Sequence, residues 1–305
     1  MKRSLIFVDS LEDRVLFCGA DSDVYKVPVP ATPVSTLVVD IEPAARCGRG
    51  VSVKTTTNGG SPVTVNLSRV PSKFDITAPQ IAGLHSFTVT IGNVNALLTL
   101  NLPDNGSSTA SVTTSGADVI VNAGDNGANF ISVTGLGSYQ CGYNDDLDQL
   151  PVEINGGQNA LNQMNLVGSG IIFGGQNSTN LASANGDQVV FVGADNGSNI
   201  FTGGNTGQYF FFGGDNCLND FTLGGGFNYV VGGSNSNNNY RVADAGRGVI
   251  IFGTNAGNNL FTQSALSLTD YCIITNPHRF HCGDRNDYGD DDNDCNHNDN
   301  FCDWD

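Results

Sequence analysis

The chain has 305 residues, among them 39 glycines, 13 lysines plus arginines and 30 aspartates plus glutamates, for a formal net charge of −17 at pH 7. A negative charge of this size repels phosphate backbones and anionic lipids, so we predict no nucleic-acid partner and no membrane-surface role. The sequence contains no run of about 18 apolar residues, and we therefore predict no membrane-spanning segment.

The N-terminal segment, residues 1–27, is predicted to direct export or sorting. Residues 11–17 read LEDRVLF, which resembles the LEPR-XLL segment found near the N-termini of large bacterial surface and secreted proteins. The sequence departs from that family at Asp13, where the family has proline, and at Phe17, where the family has leucine. The resemblance implies a protein that is secreted or lies at the cell surface of a bacterium. An ordinary amphipathic helix is the alternative.

Residues 28–115 predict a β-rich segment that lacks a sequence period. Stretches that alternate apolar residues with Thr, Ser or Asn are separated by Gly, Pro and Asn, a pattern typical of strands and turns. A small sandwich and irregular first coils of a solenoid both fit this pattern. The predicted strands cover residues 35–41, 51–54, 63–67, 87–91, 97–102 and 110–114.

Residues 116–270 carry an internal repeat in which a small residue, usually Gly, is followed by Asn three and six places later. The last six copies begin 18 to 21 residues apart. Such a period is typical of solenoids, in which like positions of successive coils form columns. We predict that the asparagines hydrogen-bond along these columns. The predicted ladder residues are Asn126, Asn129, Asn159, Asn162, Asn177, Asn180, Asn196, Asn199, Asn216, Asn219, Asn235, Asn238 and Asn259.

Each repeat contains two short strands and two turns. An apolar triplet precedes each of the last five copies, and an aromatic residue follows each of the last four. Two strands and two turns in about 19 residues make one coil of a two-sheet solenoid. The sequence therefore predicts an all-β fold: a parallel β-solenoid (a β-roll or β-helix) of about seven coils of 18–21 residues, with a β-rich N-terminal segment.

The repeat resembles the RTX, or haemolysin-type, nonapeptide G-G-x-G-x-D-x-U-x, whose coil also spans about 18 residues. The resemblance covers residues 116–265 and implies calcium sites in the turns. Here Asn replaces the calcium-binding Asp of the family, and acidic turn residues are sporadic. Because calcium prefers several hard oxygen ligands including carboxylates, we predict an asparagine-laddered solenoid without a cofactor. A calcium-binding RTX-like module is the alternative.

The apolar triplets predict a contact surface. Neighbouring residues of a strand point to opposite faces, so three consecutive apolar residues expose at least one apolar column. We predict that this column points away from the core and is covered by residues 28–115 or by a second copy of the protein. A solenoid wide enough to bury both columns is the alternative. The predicted contact stripe is Ile172, Phe191, Phe211, Val230 and Ile251.

Residues 271–305 predict an acidic, cysteine-rich tail. Alternating aspartates resemble the start of an EF-hand loop, but Cys295 and Phe301 stand where that loop has its glycine and its closing acidic residue. A solvated acidic tail is the alternative to a cation site. The candidate ligands of a weak cation site are Asp290, Asp292 and Asp294. The disulfide candidates, which allow three connectivities, are Cys272, Cys282, Cys295 and Cys302.

These features favour a non-catalytic structural or adhesive protein outside the cell. We expect its regular faces to serve self-association or attachment to a surface polymer. The alternative is a carbohydrate-active β-helix enzyme, because Asp145, Asp146, Asp148 and Glu153 form an acidic loop near residues 145–153, and glycoside hydrolysis needs a pair of carboxylates. A solvated loop explains the same four residues without catalysis.

Overall fold

The chain folds into short strands joined by tight turns. Segments rich in β-branched and aromatic residues form the strands, and Gly and Asn fill the turns between them. No helix occurs among the residues that the structure describes, so none there could cross a membrane. The structure is a computed structural model, and it describes residues 24–30, 36–44, 50–80, 84–135, 150–242, 246–263 and 271–274.

The strands form two sheets, and from β5 onward successive strands fall in alternate sheets. In spatial order, the eleven strands of the first sheet are β1 (Val24–Lys26), β5 (Lys73–Thr77), β7 (Leu97–Asn101), β9 (Asp118–Asn122), β11 (Val152–Asn155), β13 (Gly170–Phe173), β15 (Gln188–Val192), β17 (Gln208–Phe212), β19 (Gly226–Val231), β21 (Gly246–Ile251) and β23 (Tyr271–Ile274). The twelve strands of the second sheet are β4 (Val63–Leu67), β3 (Val51–Thr57), β2 (Thr36–Pro43), β6 (Leu84–Ile91), β8 (Ser107–Thr114), β10 (Ala128–Gly135), β12 (Leu161–Val167), β14 (Thr179–Asn185), β16 (Ser198–Thr202), β18 (Leu218–Leu223), β20 (Asn237–Val242) and β22 (Asn258–Gln263).

This arrangement confirms the predicted all-β parallel β-solenoid. Each coil contributes one strand to each sheet, and every pairing is parallel except the two in the hairpins β2–β3 and β3–β4. The strands of residues 28–115 belong to the same two sheets as the repeats. They are therefore the first coils of the solenoid and not a separate sandwich.

The core lies between the two sheets as stacked columns. In the second sheet the aromatic column contributes Phe201, Phe221 and Tyr240, none of which is exposed to solvent. In the first sheet the rings of Phe191 and Phe211 stack with centroids 5.0 Å apart and planes 4° from parallel. Phe211 also meets Phe221 edge-on across the core, at 6.0 Å. These rings join neighbouring coils and both sheets in one apolar column.

The predicted contact stripe is wrong in its direction. Ile172, Phe191, Phe211 and Val230 are completely buried between the sheets. The strand alternation points the middle residue of each triplet inward, so the first and third residues point outward instead. The described strands of residues 28–115 do not cover this sheet either, because β5 and β7 extend it at its edge and the others belong to the second sheet.

The last coil is shifted by one residue relative to the predicted stripe, which includes Ile251. Val230 pairs with Ile250, which is buried, and Ile251 pairs with the outward Val231. The last repeat therefore starts one residue earlier than the spacing of Gly and Asn in the sequence predicts. Asn259 follows its turn asparagine, Asn255, by four positions, whereas the corresponding asparagines of the other copies are three positions apart. A one-residue insertion in the turn shifts the apparent frame.

Candidate functional site

The second asparagine of each repeat forms a buried ladder along the solenoid axis. The side-chain amide of each residue donates from Nδ2 to Oδ1 of the asparagine in the next coil, at 2.9–3.0 Å. All six bonds point in the same direction, so the amide dipoles align and each bond polarises the next. The asparagine ladder consists of Asn129, Asn162, Asn180, Asn199, Asn219, Asn238 and Asn259.

The ladder also closes the turn of its own coil. Asn162 Nδ2 donates to the carbonyl of Gly157 at 2.8 Å, and the N–H of Gly157 donates back to Asn162 Oδ1 at 3.0 Å. With its two ladder bonds, this side chain uses both donors and both acceptor positions of its amide. Each buried ladder amide is therefore held on one side by its turn and on the other by the next coil.

The first asparagine of each repeat has a different role. These residues adopt positive φ angles between +50° and +59°, in the left-handed region that Asn tolerates better than other side chains with a Cβ. The prediction that they hydrogen-bond as a side-chain ladder is therefore wrong for this half of the set. They form the turn backbone instead, and they are Asn126, Asn159, Asn177, Asn196, Asn216 and Asn235, together with Asn105 and Asn255, which the repeat search missed.

The sporadic turn aspartates link coils by hydrogen bonds. Oδ1 of Asp125 accepts the backbone N–H of Gln158 at 2.7 Å, and Oδ1 of Asp195 accepts that of Asp215 at 2.8 Å. Oδ1 of Asp215 in turn accepts the N–H of Ser234 at 2.6 Å. Across the part of the chain that the structure describes, no three His, Cys, Asp or Glu side chains gather as metal ligands would.

Cys217 occupies a turn position that Ser178 and Ser236 fill in other coils. Its Sγ lies 3.1 Å from the carbonyl of Ala194 and 3.0 Å from that of Asp215, and it accepts the N–H of Gly197 at 3.3 Å. Ser236 Oγ makes the corresponding contacts at 2.9–3.0 Å. Burial raises the pKa of the Cys217 thiol above its ordinary value, so the group stays neutral as a hydrogen-bond donor.

We expect Cys217→Ser to fold with unchanged or higher stability, and Cys217→Ala to lose about 1–2 kcal/mol because turn carbonyls lose their donor. A raised folded-state pKa gives stability that is present at neutral pH and lost as alkaline pH ionises the thiol. The serine variant should therefore lose less stability than the parent between about pH 8 and about pH 10. Guanidinium unfolding at both pH values measures this, and equal losses in the two proteins would refute it.

The outer surface of the first sheet is apolar over its last six strands. We call this surface the apolar outer face. Phe212 is its most exposed large side chain, at 37%, and its ring lies 6.2 Å from that of Tyr229. Neighbouring strands are about 4.8 Å apart, so six strands extend this face over about 24 Å. Its outward-pointing residues, of which Val190 is itself buried, are Ile171, Phe173, Val190, Val192, Phe210, Phe212, Tyr229, Val231, Val249, Ile251, Cys272 and Ile274.

The same surface is polar over the preceding strands. Asn155 Nδ2 donates to Asn122 Oδ1 at 2.9 Å, and Asn122 Nδ2 donates to Asn101 Oδ1 at 2.7 Å. This second, outer asparagine ladder escaped the sequence analysis. Its signal is an Asn directly after an apolar run and just before a turn, as in LLTLN, DVIVN and VEIN.

The acidic residues proposed for catalysis are only partly described. Glu153 lies on the polar part of the first sheet, where Asn155 Nδ2 donates to its carboxylate at 2.7 Å. Asp145, Asp146 and Asp148 lie outside the described residues. The structure thus describes one of the four carboxylates, and the catalytic alternative stays a prediction.

The tail residues give a similar partial result. Cys272 is disulfide-bonded, whereas Asp290, Asp292 and Asp294 and the cysteines Cys282, Cys295 and Cys302 lie outside the described residues. The cation site therefore stays a prediction.

The second sheet presents a polar column to solvent. The side chains of this polar column are all hydroxyls or amides over seven successive coils. They are Thr88, Ser111, Ser132, Asn165, Ser183, Thr202 and Thr222. Ser183 Oγ donates to Asn165 Oδ1 at 3.0 Å, which fixes the spacing of these groups along the axis.

The stacked coils and the buried ladder define the chain as a structural repeat protein, an asparagine-laddered β-solenoid. The chain matches no protein-family model, no curated protein and no solved structure.

Proposed function

We propose that this protein is a non-catalytic, extracellular solenoid that attaches to a surface polysaccharide through the polar column of its second sheet. The observation that carries the proposal is the in-register column of hydroxyl and amide groups from Thr88 to Thr222. Each hydroxyl both donates and accepts hydrogen bonds. A row of such groups at the coil spacing suits a polymer whose own hydroxyls repeat along its length.

The interior supports a structural role. The recurrent polar side chains of the repeat, the ladder asparagines and the turn aspartates, bond one coil to the next. Bonds of this kind hold the outward columns at fixed spacing. A fixed spacing lets many weak contacts to a polymer form together, so avidity arises without a deep pocket.

Two features support a location outside the cell. Cys272 is disulfide-bonded, and disulfides persist mainly in oxidising compartments such as the extracellular space. The resemblance of residues 11–17 to the LEPR-XLL segment implies export. Antibody labelling of intact source cells tests this part, and labelling that requires cell lysis would contradict it.

Co-sedimentation with insoluble cell-surface polysaccharides tests the attachment. We expect the parent protein to pellet with the polymer and the variant Thr88→Asp/Thr202→Asp to bind at least about tenfold more weakly, because charged groups replace two hydroxyls of the column. The matched control is Thr36→Asp/Thr64→Asp, which changes two exposed threonines outside the polar column. Equal weakening in both variants, or no binding by the parent, would contradict the proposal.

The same samples test the absence of catalysis. We expect no soluble sugar to appear in the supernatant during prolonged incubation. Release of sugar that is abolished by replacing Asp145 and Asp148 would instead support the carbohydrate-active alternative. That result would overturn the non-catalytic proposal even if the polar column still binds the polymer.

A further inference from the structure

The apolar outer face ends where a disulfide attaches another part of the chain. In the strand register Cys272 lies beside Val249, which belongs to the outward column. The next residue, Ile273, packs on the core. The Cys272 side chain therefore points to the outer face, and it is disulfide-bonded. The disulfide is therefore formed at the C-terminal end of this face.

Six cysteines could be the disulfide partner of Cys272, because Cys217 is free. Two of these six, near the N-terminus, are too far away along the solenoid. Cys18 lies six residues before β1, and Cys47 lies between β2 and β3. The first sheet has ten strand spacings between β1 and β23, or about 48 Å. Six extended residues span at most about 22 Å.

Cys141 is also too far away. It lies six residues after Gly135, the last residue of β10. Six strand spacings separate β10 from β22 in the second sheet, which is about 29 Å, and β23 follows β22 in the opposite sheet. Six residues plus the Cα–Cα span of a disulfide reach about 27 Å at most. The remaining partners, Cys282, Cys295 and Cys302, all belong to the tail.

We propose that the tail, residues 275–305, is held by the Cys272 disulfide and covers the apolar outer face. The tail begins directly after Ile274, the last outward residue of this face. Its 31 residues exceed the roughly seven that a single extended pass over about 24 Å requires. It also supplies apolar groups between its aspartates, namely Phe280, Tyr288, Phe301 and Trp304.

Charge favours the tail as the occupant. From residue 275 onward the chain has nine Asp and two Arg. Arg247 is exposed on the outward side of β21, two residues from Val249, and makes no ion pair within the described part of the chain. A guanidinium beside the last strands attracts acidic side chains at the edge of the face, while aromatic groups cover its centre.

A second copy of the protein fits the face less well. Six strands and two outward columns offer about 400 Å², about half of the roughly 800 Å² that each partner buries in a standard interface. Each copy also carries the net charge of −17, which opposes close approach. The face is thus better matched in area and charge to a tethered segment than to a dimer.

Peptide mapping of the non-reduced full chain tests the covalent part. We expect the peptide that contains Cys272 to be linked to one that contains Cys282, Cys295 or Cys302. A link to Cys18, Cys47 or Cys141 would overturn the proposal. This measurement needs no variant, so it does not depend on the folding of a mutant.

Hydroxyl-radical footprinting tests whether the tail covers the apolar outer face. Phe130 on the second sheet is the internal reference, because Phe130 and Phe212 are both 37% exposed in the structure. In the oxidised protein we expect Phe212 to be labelled several-fold less than Phe130. In reduced protein and in Cys272→Ser the two should become similar, whereas Cys217→Ser should behave as the parent. Equal labelling in the oxidised parent would overturn the proposal, and so would protection that disappears on dilution, which indicates a second copy.

Discussion

Replacing Phe211 with alanine is expected to lower the free energy of unfolding by about 3–5 kcal/mol, the cost of removing a large buried ring. Phe211 is completely buried and stacks on Phe191 at 5.0 Å. It also contacts Tyr209 in its own strand and Phe221 of the opposite sheet. A cavity at this point would separate neighbouring coils as well as the two sheets. Guanidinium unfolding followed by circular dichroism measures the loss.

The neighbouring residue provides the matched control. Phe212 has the same side chain but points outward and is 37% exposed in the structure, so Phe212→Ala leaves no cavity between the sheets and should cost clearly less than Phe211→Ala. This pair separates the buried column from the outward one. If Phe212→Ala destabilised the protein more than Phe211→Ala, the inward direction of the middle triplet residue would be wrong.

Replacing Asn199 with leucine should cost about 3–5 kcal/mol, although leucine has a similar volume. The change removes a donor to Asn219 Oδ1 at 2.9 Å, a donor to the carbonyl of Ala194 at 3.0 Å and the acceptor of Asn180 Nδ2 at 2.9 Å. Each buried group left without a partner costs about 1–3 kcal/mol. The unfolding midpoint should fall while the slope of the transition changes little.

Asn196 is the control for this variant, because it belongs to the same repeat but has φ +59° and an exposed side chain. Asn196→Gly should change stability by less than about 1 kcal/mol, since glycine adopts this conformation without a steric penalty. Equal costs at Asn196 and Asn199 would show that the two asparagines do not have the separate roles assigned to them.

The period of the repeat predicted the coil architecture because stacking forces like residues into columns. Once coils follow at about 19 residues, a buried amide at a fixed place has a neighbouring amide as its nearest partner. Asn162, Asn180 and Asn199 could therefore be assigned to a ladder from spacing alone.

The division of roles between the paired asparagines could not be predicted in the same way. Asn196 and Asn199 are the same residue type at equally regular positions, and only backbone geometry separates them. Asn is favoured both in left-handed turns and in hydrogen-bonded columns. The residue pattern alone therefore supports both roles at both positions.

The direction of the apolar triplets required the register of the strands. Three apolar residues in a row, such as Tyr229, Val230 and Val231, remove the alternation that marks the inner face of a strand. The inserted residue near Asn255 then hid the shift that places Ile250, and not Ile251, in the core.

The first coils lacked a sequence signal because their ladder column changes residue type. Asn129 pairs with Ser108, and Ser108 pairs with His85. A search for recurring asparagine finds neither residue. The hydrogen-bonded register continues through these positions because the backbone pairing of parallel strands does not depend on the side chain.

The central claim is that coils stack at a constant rise from the first strands to the last repeat. Electron paramagnetic resonance with nitroxide pairs measures this directly. Arg241 lies in register with the polar column. It is five strand spacings from Ser132 and seven from Thr88, so nitroxides at position 241 and at either of these two positions form the two pairs. The account predicts label separations of about 24 Å and about 34 Å, an increase of about 4.8 Å per coil. Equal distances for the two pairs, or a shorter distance from Thr88 than from Ser132, would contradict it.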